Sequence, residues 1–246
     1  MSLSLTRASY TYRNGTVAVK DISYTFKPGV FYGIFGANGS GKSTLLKMLA
    51  GDVAPDNPVL LEGRALRKLS SIELARLIAY AEQDAELMLP FCVRECIALG
   101  RYVWDDKNDL LIDRLLQEWN AEYLSDKQFS ELSGGERQKI KLLRILAQDT
   151  RYILLDEPAS SLDLGRQLEL YEKLQQIAHQ ENKCVIMVCH DLYTAPAFID
   201  EMLIMKKGDL LYAGKADHRD AQKAIGQTCE REFLITRTHK SIEISW

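Results

Sequence analysis

The segment Gly36-Ala37-Asn38-Gly39-Ser40-Gly41-Lys42-Ser43 sets a lysine and a hydroxyl directly behind a glycine-rich turn. It fits G-x-x-x-x-G-K-[ST] at every fixed position, with an apolar run before it and helical spacing after it, the context that this pattern requires. The glycines let the backbone turn tightly, so that successive N–H groups point at the β- and γ-phosphates of a nucleotide, and the helix N-terminus adds partial positive charge. Lys42 supplies a mobile point charge, Ser43 a hydroxyl for Mg2+, and Thr44 a further phosphate contact. A turn that merely closed a strand would need no Lys-Ser pair.

A second group lies 114 residues beyond Lys42, where Tyr152-Ile153-Leu154-Leu155 ends in Asp156 and Glu157. An apolar strand that ends in adjacent carboxylates belongs where open α/β sheets place their ligand chemistry. The two acids can divide the work: Asp156 reaches the magnesium shell while Glu157 polarises the water that attacks the γ-phosphate. Alone, such acids could be solvated side chains at a strand end, but with the phosphate loop they complete a site for nucleotide hydrolysis.

These residues need a scaffold, and the pattern supplies one. Residues 3–12 and 20–26 alternate apolar and polar around the turn signal Asn14-Gly15, which predicts antiparallel strands. Val30–Phe35 reads as a buried strand feeding the phosphate loop, and Ser43–Leu49 as a helix stopped by Gly51 and Pro55. From about 89 to 148 apolar residues recur at three- or four-residue intervals, through Val93, Cys96, Ile97, Leu111, Leu115, Leu116 and Trp119, which predicts helices. The runs Tyr152–Leu155 and Val185–Val188 flank an amphipathic stretch at Arg166–Gln180, giving the strand-helix-strand unit of a covered parallel sheet. A hairpin turning at Lys207-Gly208 follows, then a tail of weaker pattern.

Composition bounds the reading. With 246 residues the chain is of single-domain size, with or without a subdomain, and 31 basic against 34 acidic side chains give a net charge of −3. That balance leaves no reservoir of positive charge for counterion release and argues against a dedicated nucleic-acid binder. No apolar run reaches membrane-spanning length, and the first ten residues lack the apolar core of a secretory signal, which predicts a chain that stays inside the cell. Cys92, Cys96, Cys184, Cys189 and Cys229 form no C-x-x-C pair; Cys92 and Cys96 alone are too few ligands to close a zinc site, and all five read as reduced thiols.

Leu132-Ser133-Gly134-Gly135-Glu136-Arg137-Gln138 narrows the class. As a capped helix start, Ser133 with Glu136 three residues on is a capping box; as an anion-binding helix terminus it would duplicate the phosphate loop within one chain. With the other motifs in order around it, this heptapeptide resembles the signature motif of ABC-type ATPases. The resemblance implies a single P-loop ATPase domain of the α/β class: a mainly parallel sheet, an N-terminal antiparallel β subdomain, and an inserted helical subdomain at 89–148 that splits the nucleotide-binding core into 1–88 and 149–246. It also implies head-to-tail dimers, in which Ser133, Gly134 and Gly135 of one copy cover ATP held by Gly36–Thr44 of the other.

Further family positions map residue by residue. Gln83 matches the glutamine that contacts water or Mg2+ and faces a membrane partner, with Glu82 where family members often have proline. Asp163, in Ser160-Ser161-Leu162-Asp163, matches the dimer-contact aspartate. His190, 33 residues beyond Glu157, matches the histidine that touches the γ-phosphate. Tyr12 matches the aromatic that stacks on adenine, with Tyr10 as the alternative. The resemblance runs from about Leu3 to Gly214 and is closest to ATPases of importers for iron-siderophores, haem and cobalamin, on three segments: Leu61-Glu62-Gly63-Arg64 with Leu69–Arg76, Val93-Arg94-Glu95 with Leu99-Gly100-Arg101, and Leu162-Asp163-Leu164 with Gln167–Leu170. It implies a peripheral subunit on the cytoplasmic face of the inner membrane, partnered by a permease and, indirectly, by an extracytoplasmic substrate-binding protein. Another cargo, an exporter, or a non-transport cassette of the same family share the nucleotide motifs and remain alternatives.

Overall fold

The computed structural model describes residues 2–82, 90–215, 219–229, 234–237 and 242–245. In chain order the elements are β1 (Leu3–Thr11), β2 (Val17–Phe26), β3 (Phe31–Gly36), α1 (Lys42–Ala50), β4 (Leu60–Leu61), β5 (Arg64–Ala65), α2 (Ser71–Leu77) and β6 (Ile78–Ala81). The helices α3 (Val93–Ala98), α4 (Asp109–Glu118) and α5 (Gly134–Ala147) follow, interleaved with 3-10 turns. Then come β7 (Tyr152–Asp156), α6 (Leu164–Gln180), β8 (Cys184–Val188), β9 (Glu201–Lys206), β10 (Asp209–Lys215), α7 (Arg219–Cys229), β11 (Leu234–Arg237) and β12 (Ile242–Ser245).

A six-stranded sheet in the order β10-β9-β3-β8-β7-β6 forms the centre, parallel throughout except for the edge strand β10. Its inner strands are apolar on both faces, as a sheet covered on both sides requires. Tyr152, Leu154, Cys184, Ile186 and Val188 face one core, which also takes Leu3, Ile22 and Phe26 of the antiparallel sheet β2-β1-β4-β5 and Leu45, Leu46 and Leu49 of α1. Ile153, Leu155, Val185 and Met187 face the other, which is continuous with Val93, Ile112, Leu116 and Leu143 of α3–α5 and with Tyr171 and Leu174 of α6. The alternation along β7 and β8 thus sets which face each residue buries.

The sequence expectations for β1, β2, β3, α1, β7, α6 and β8 hold to within a few residues. Lys207 and Gly208 turn the β9–β10 hairpin at φ 49° and 88°, the left-handed pair that a two-residue turn needs. The tail departs from its weak pattern: it carries α7, whose Ala221, Ala224 and Ile225 are buried at helical spacing, and the antiparallel pair β11–β12. Small alanines give little periodic signal, although three and four residues apart they fill one helix face. Cys92, Cys96, Cys184 and Cys189 are free thiols, and burial pushes Cys96 up to about 11, so it stays protonated. Cys229 lies outside the described side chains. Among the described residues, no helix is long and apolar enough to cross a membrane.

Candidate nucleotide site

The carboxyl ends of β3, β8 and β7 lie side by side, with Ile34 level with Val188 and Val188 level with Asp156. Three sequence-distant segments therefore meet at one edge, where such sheets bind ligands. The loop from β3 to α1 is held by close backbone approach. Gly41 caps α1 at φ 104°, and a Cβ there would sit 2.1 Å from the carbonyl oxygen of Ala18; at Gly36, φ 151°, it would sit 2.3 Å from that of Met205. Gly41→Ala is therefore expected to destabilise the chain by about 2–3 kcal/mol, since backbone rather than a mobile side chain must move. Thermal or urea unfolding checks this.

Lys42 is 5% exposed, and its Nζ donates to the carbonyl oxygens of Gly36 at 2.9 Å and Ala37 at 3.2 Å. Burial pulls this ammonium below its ordinary value, and the charges of Glu157 and Asp156 pull the other way. The Ser43 hydroxyl donates to Asp156 Oδ1 at 3.1 Å, across 113 residues of chain. These are hard oxygen donors of the kind Mg2+ selects, so the pair fits a magnesium site. The hydroxyls of Thr44 and Tyr12 lie 2.9 Å apart, and Tyr12, 38% exposed, packs edge-on against Tyr10. Tyr12 rather than Tyr10 therefore reaches the helix that carries the phosphate loop.

Asp156 is 4% exposed, and its carboxyl is pushed up, chiefly by burial, against the opposing bond from Ser43. A raised folded-state pKa means that this group's stabilisation is present below the unfolded value and lost as pH rises through the folded value. At neutral pH the buried charge thus costs stability. Asp156→Asn is expected to raise the melting temperature of the nucleotide-free chain by about 1–3 °C while removing magnesium-dependent hydrolysis, readable by calorimetry and phosphate release.

Glu157 follows in the left-handed region at φ 52°, an uncommon conformation for a residue with a side chain and one that concentrates at functional sites. Its carboxylate meets His190, whose Nε2 contacts Glu157 Oε1. His190 follows β8 directly after Cys189, whose backbone N–H donates to Ile34 at 2.9 Å. Lys42, Ser43, Asp156, Glu157 and His190 thus form one connected group.

Ser133 and Asp163 cap the starts of α5 and α6. The backbone N–H of Ser133 donates to Glu136 Oε2 at 2.8 Å, its Oγ lies 2.6 Å from the same oxygen, and it accepts from the Glu136 N–H at 3.4 Å. In this state the Ser133 hydroxyl is engaged in its own helix start, with Gly134 and Gly135 opening α5 behind it. Asp163 Oδ1 accepts from the Arg166 N–H at 3.0 Å at the start of α6. Arg166 also spans the two termini, since a Cβ on Gly135 would meet its Nη1 at 2.4 Å, and it pairs with Asp163 Oδ2 at 3.4 Å. The sequence reading passed over Arg166; its place three residues after a capping aspartate is the signal that could have found it. Gln138, the last residue of the heptapeptide, has a contact that the motif alone does not give: its Nε2 donates to the Pro158 carbonyl at 3.3 Å and ties α5 to the segment after Glu157. Gln83 lies outside the described residues.

A strand, glycine loop and helix with a buried lysine, beside a parallel strand that ends in paired acids, define a P-loop nucleotide-hydrolase fold. Within that class, the chain belongs to the ABC transporter family, whose pattern matches residues 19–160. As an ATP-binding cassette of this family it is an ATPase, converting ATP and water to ADP and phosphate. It is 34% identical over 215 residues to the hemin import ATP-binding protein HmuV of Bordetella pertussis, covering 82% of each chain. It is 34% identical over 206 residues to the cobalamin import ATP-binding protein BtuD of Halobacterium salinarum, covering 81% of this chain and 52% of that one. The structure of cbiO1 from Clostridium perfringens, part of the ABC transporter complex cbiONQ, superposes with a TM-score of 0.78 at 25% identity, covering 92% of each chain.

Proposed function

We propose that this chain powers import of an iron chelate, haem or ferric siderophore, or of cobalamin, through a separate membrane permease. The observation that carries the reading is the 34% identity to both a hemin and a cobalamin import ATP-binding protein, each over four-fifths of this chain. It agrees with the three subgroup-like segments in the sequence. The subunit would sit on the cytoplasmic face of the membrane and act with a second copy of itself, the permease, and an extracytoplasmic substrate-binding protein.

In this reading, the loop N–H groups and Lys42 hold the β- and γ-phosphates, and Tyr12 stacks on adenine. Ser43, Asp156 and Gln83 would hold Mg2+, which supplies charge neutralisation on the phosphate oxygens. Glu157 accepts the proton of the attacking water, and His190, already in contact with it, orients that carboxylate and meets the γ-phosphate. The Ser133–Gly135 helix start, opposite the second copy's loop, would trade its bond to Glu136 for the γ-phosphate, which closes the dimer. Asp163 stands at the same contact, fixed by its cap on α6. Residues 89–148 would form the helical subdomain that meets the permease. Hydrolysis removes the contacts that favour the closed dimer, so opening follows as a population shift.

Uptake tests the reading. In cells deleted for this chain, labelled haem, ferric siderophore and cobalamin are supplied, with wild type or Lys42→Ala restored. Loss of one cargo, recovered only with wild type, is the expected result. Unchanged uptake of all three would overturn the importer assignment and leave the ATPase intact.

A further inference from the structure

The first turns of α1 contact three other elements from neighbouring positions. Thr44 meets Tyr12 at the end of β1, Ser43 meets Asp156 at the end of β7, and Lys47 meets Glu82 directly beyond β6, with Nζ 2.5 Å from Oε1. The first two belong to the nucleotide site. The third has no part in it, although Lys47 lies one turn beyond Ser43 and Glu82 is the residue from which the chain enters Gln83.

The geometry points to Lys47 and Glu82 as a positioning pair, which clamps the exit of β6 onto the helix that carries Lys42, Ser43 and Thr44. The inference rests on the ATPase reading of that site. The surroundings favour a committed pair over a loose one. Lys47 is two-thirds buried, and its ammonium is raised above its ordinary value, first by the bond to Glu82. Asp52, just past the C-terminus of α1, adds a second carboxylate nearby, and its pKa is raised by burial first and by the charge of Glu82 second. Lys47 also feels the charge of Asp156, the acid proposed to hold Mg2+, and Glu82 is the carboxylate to which its ammonium is bonded. β6 is a four-residue edge strand paired on one side only, to β7, and Glu82 is the residue directly beyond that pairing.

Such a pair adds little to global stability, because Glu82 is half exposed and ion pairs open to water on one side contribute weakly. Its effect belongs in the placing of groups, where small displacements cost rate more than affinity. The test uses the full chain in four forms: wild type, Lys47→Met, Glu82→Gln, and the double variant. Each single change is expected to lower kcat about fivefold with KM for ATP within about twofold. The double is expected to lose no more than either single, and Lys47→Arg to keep wild-type kcat. Hydrogen exchange on the nucleotide-free chain gives a second readout: the amides of Ala79–Glu82 exchange faster in both single variants and equally fast in the double.

Wild-type kcat and exchange in the single variants would overturn the inference, as would losses that multiply in the double. Absence of hydrolysis by the wild-type chain would sink the ATPase reading instead, and the exchange experiment would still decide whether the clamp exists.

Discussion

Glu157→Gln is expected to bind ATP with wild-type affinity, hydrolyse it about a thousandfold more slowly, and accumulate as an ATP-bound dimer. The carboxylate sits at a left-handed turn against His190, so an amide of the same size keeps the fold and the contact while losing the proton acceptor. Phosphate release gives the rate, and size-exclusion chromatography with and without ATP gives the dimer. Hydrolysis by Glu157→Gln at the wild-type rate would remove the general-base assignment. The same variant in monomeric form at saturating ATP would remove the head-to-tail dimer.

Lys42→Ala has the next largest effect, and on a different quantity. Its buried ammonium donates to the Gly36 and Ala37 carbonyls, and in the proposed reading it turns onto phosphate when nucleotide enters. Truncating one side of a buried, hydrogen-bonded charge pair costs about 2–5 kcal/mol, so ATP affinity is expected to fall roughly 30- to 5,000-fold. Stability moves little, because burial already disfavours the charged form in the folded chain, which sets the cost of removing it against a gain. A melting temperature within about 2 °C of wild type, with titration calorimetry showing the weakened affinity, is the expected pair of results. Full ATP affinity in this variant would mean that the loop N–H groups alone bind the phosphates.

The two predictions depend on contacts of different legibility. The Lys42 loop was readable because glycines, lysine and serine are adjacent in sequence and the neighbouring run is apolar on both faces, which only a covered parallel strand requires. The contact of Glu157 with His190 was not readable from spacing: it depends on β7 and β8 being neighbours in register and on one residue turning left-handed. Ser133 was readable in two ways, as a cap and as an anion site, and the structure shows it capping; the second use needs a second chain. Arg166 across Gly135, and Lys47 on Glu82, bring together elements that only the tertiary fold joins. The tail hid α7 because its buried face is built largely of alanine.

Phosphate release by the purified chain, measured over a range of protein concentration in ATP and Mg2+, tests the central claim most directly. A site completed by a second copy predicts turnover per chain that rises with chain concentration, stops with EDTA, and is absent in Lys42→Ala. Turnover per chain independent of concentration, or unchanged by EDTA or by loss of Lys42, would contradict a magnesium-dependent ATPase shared between two copies.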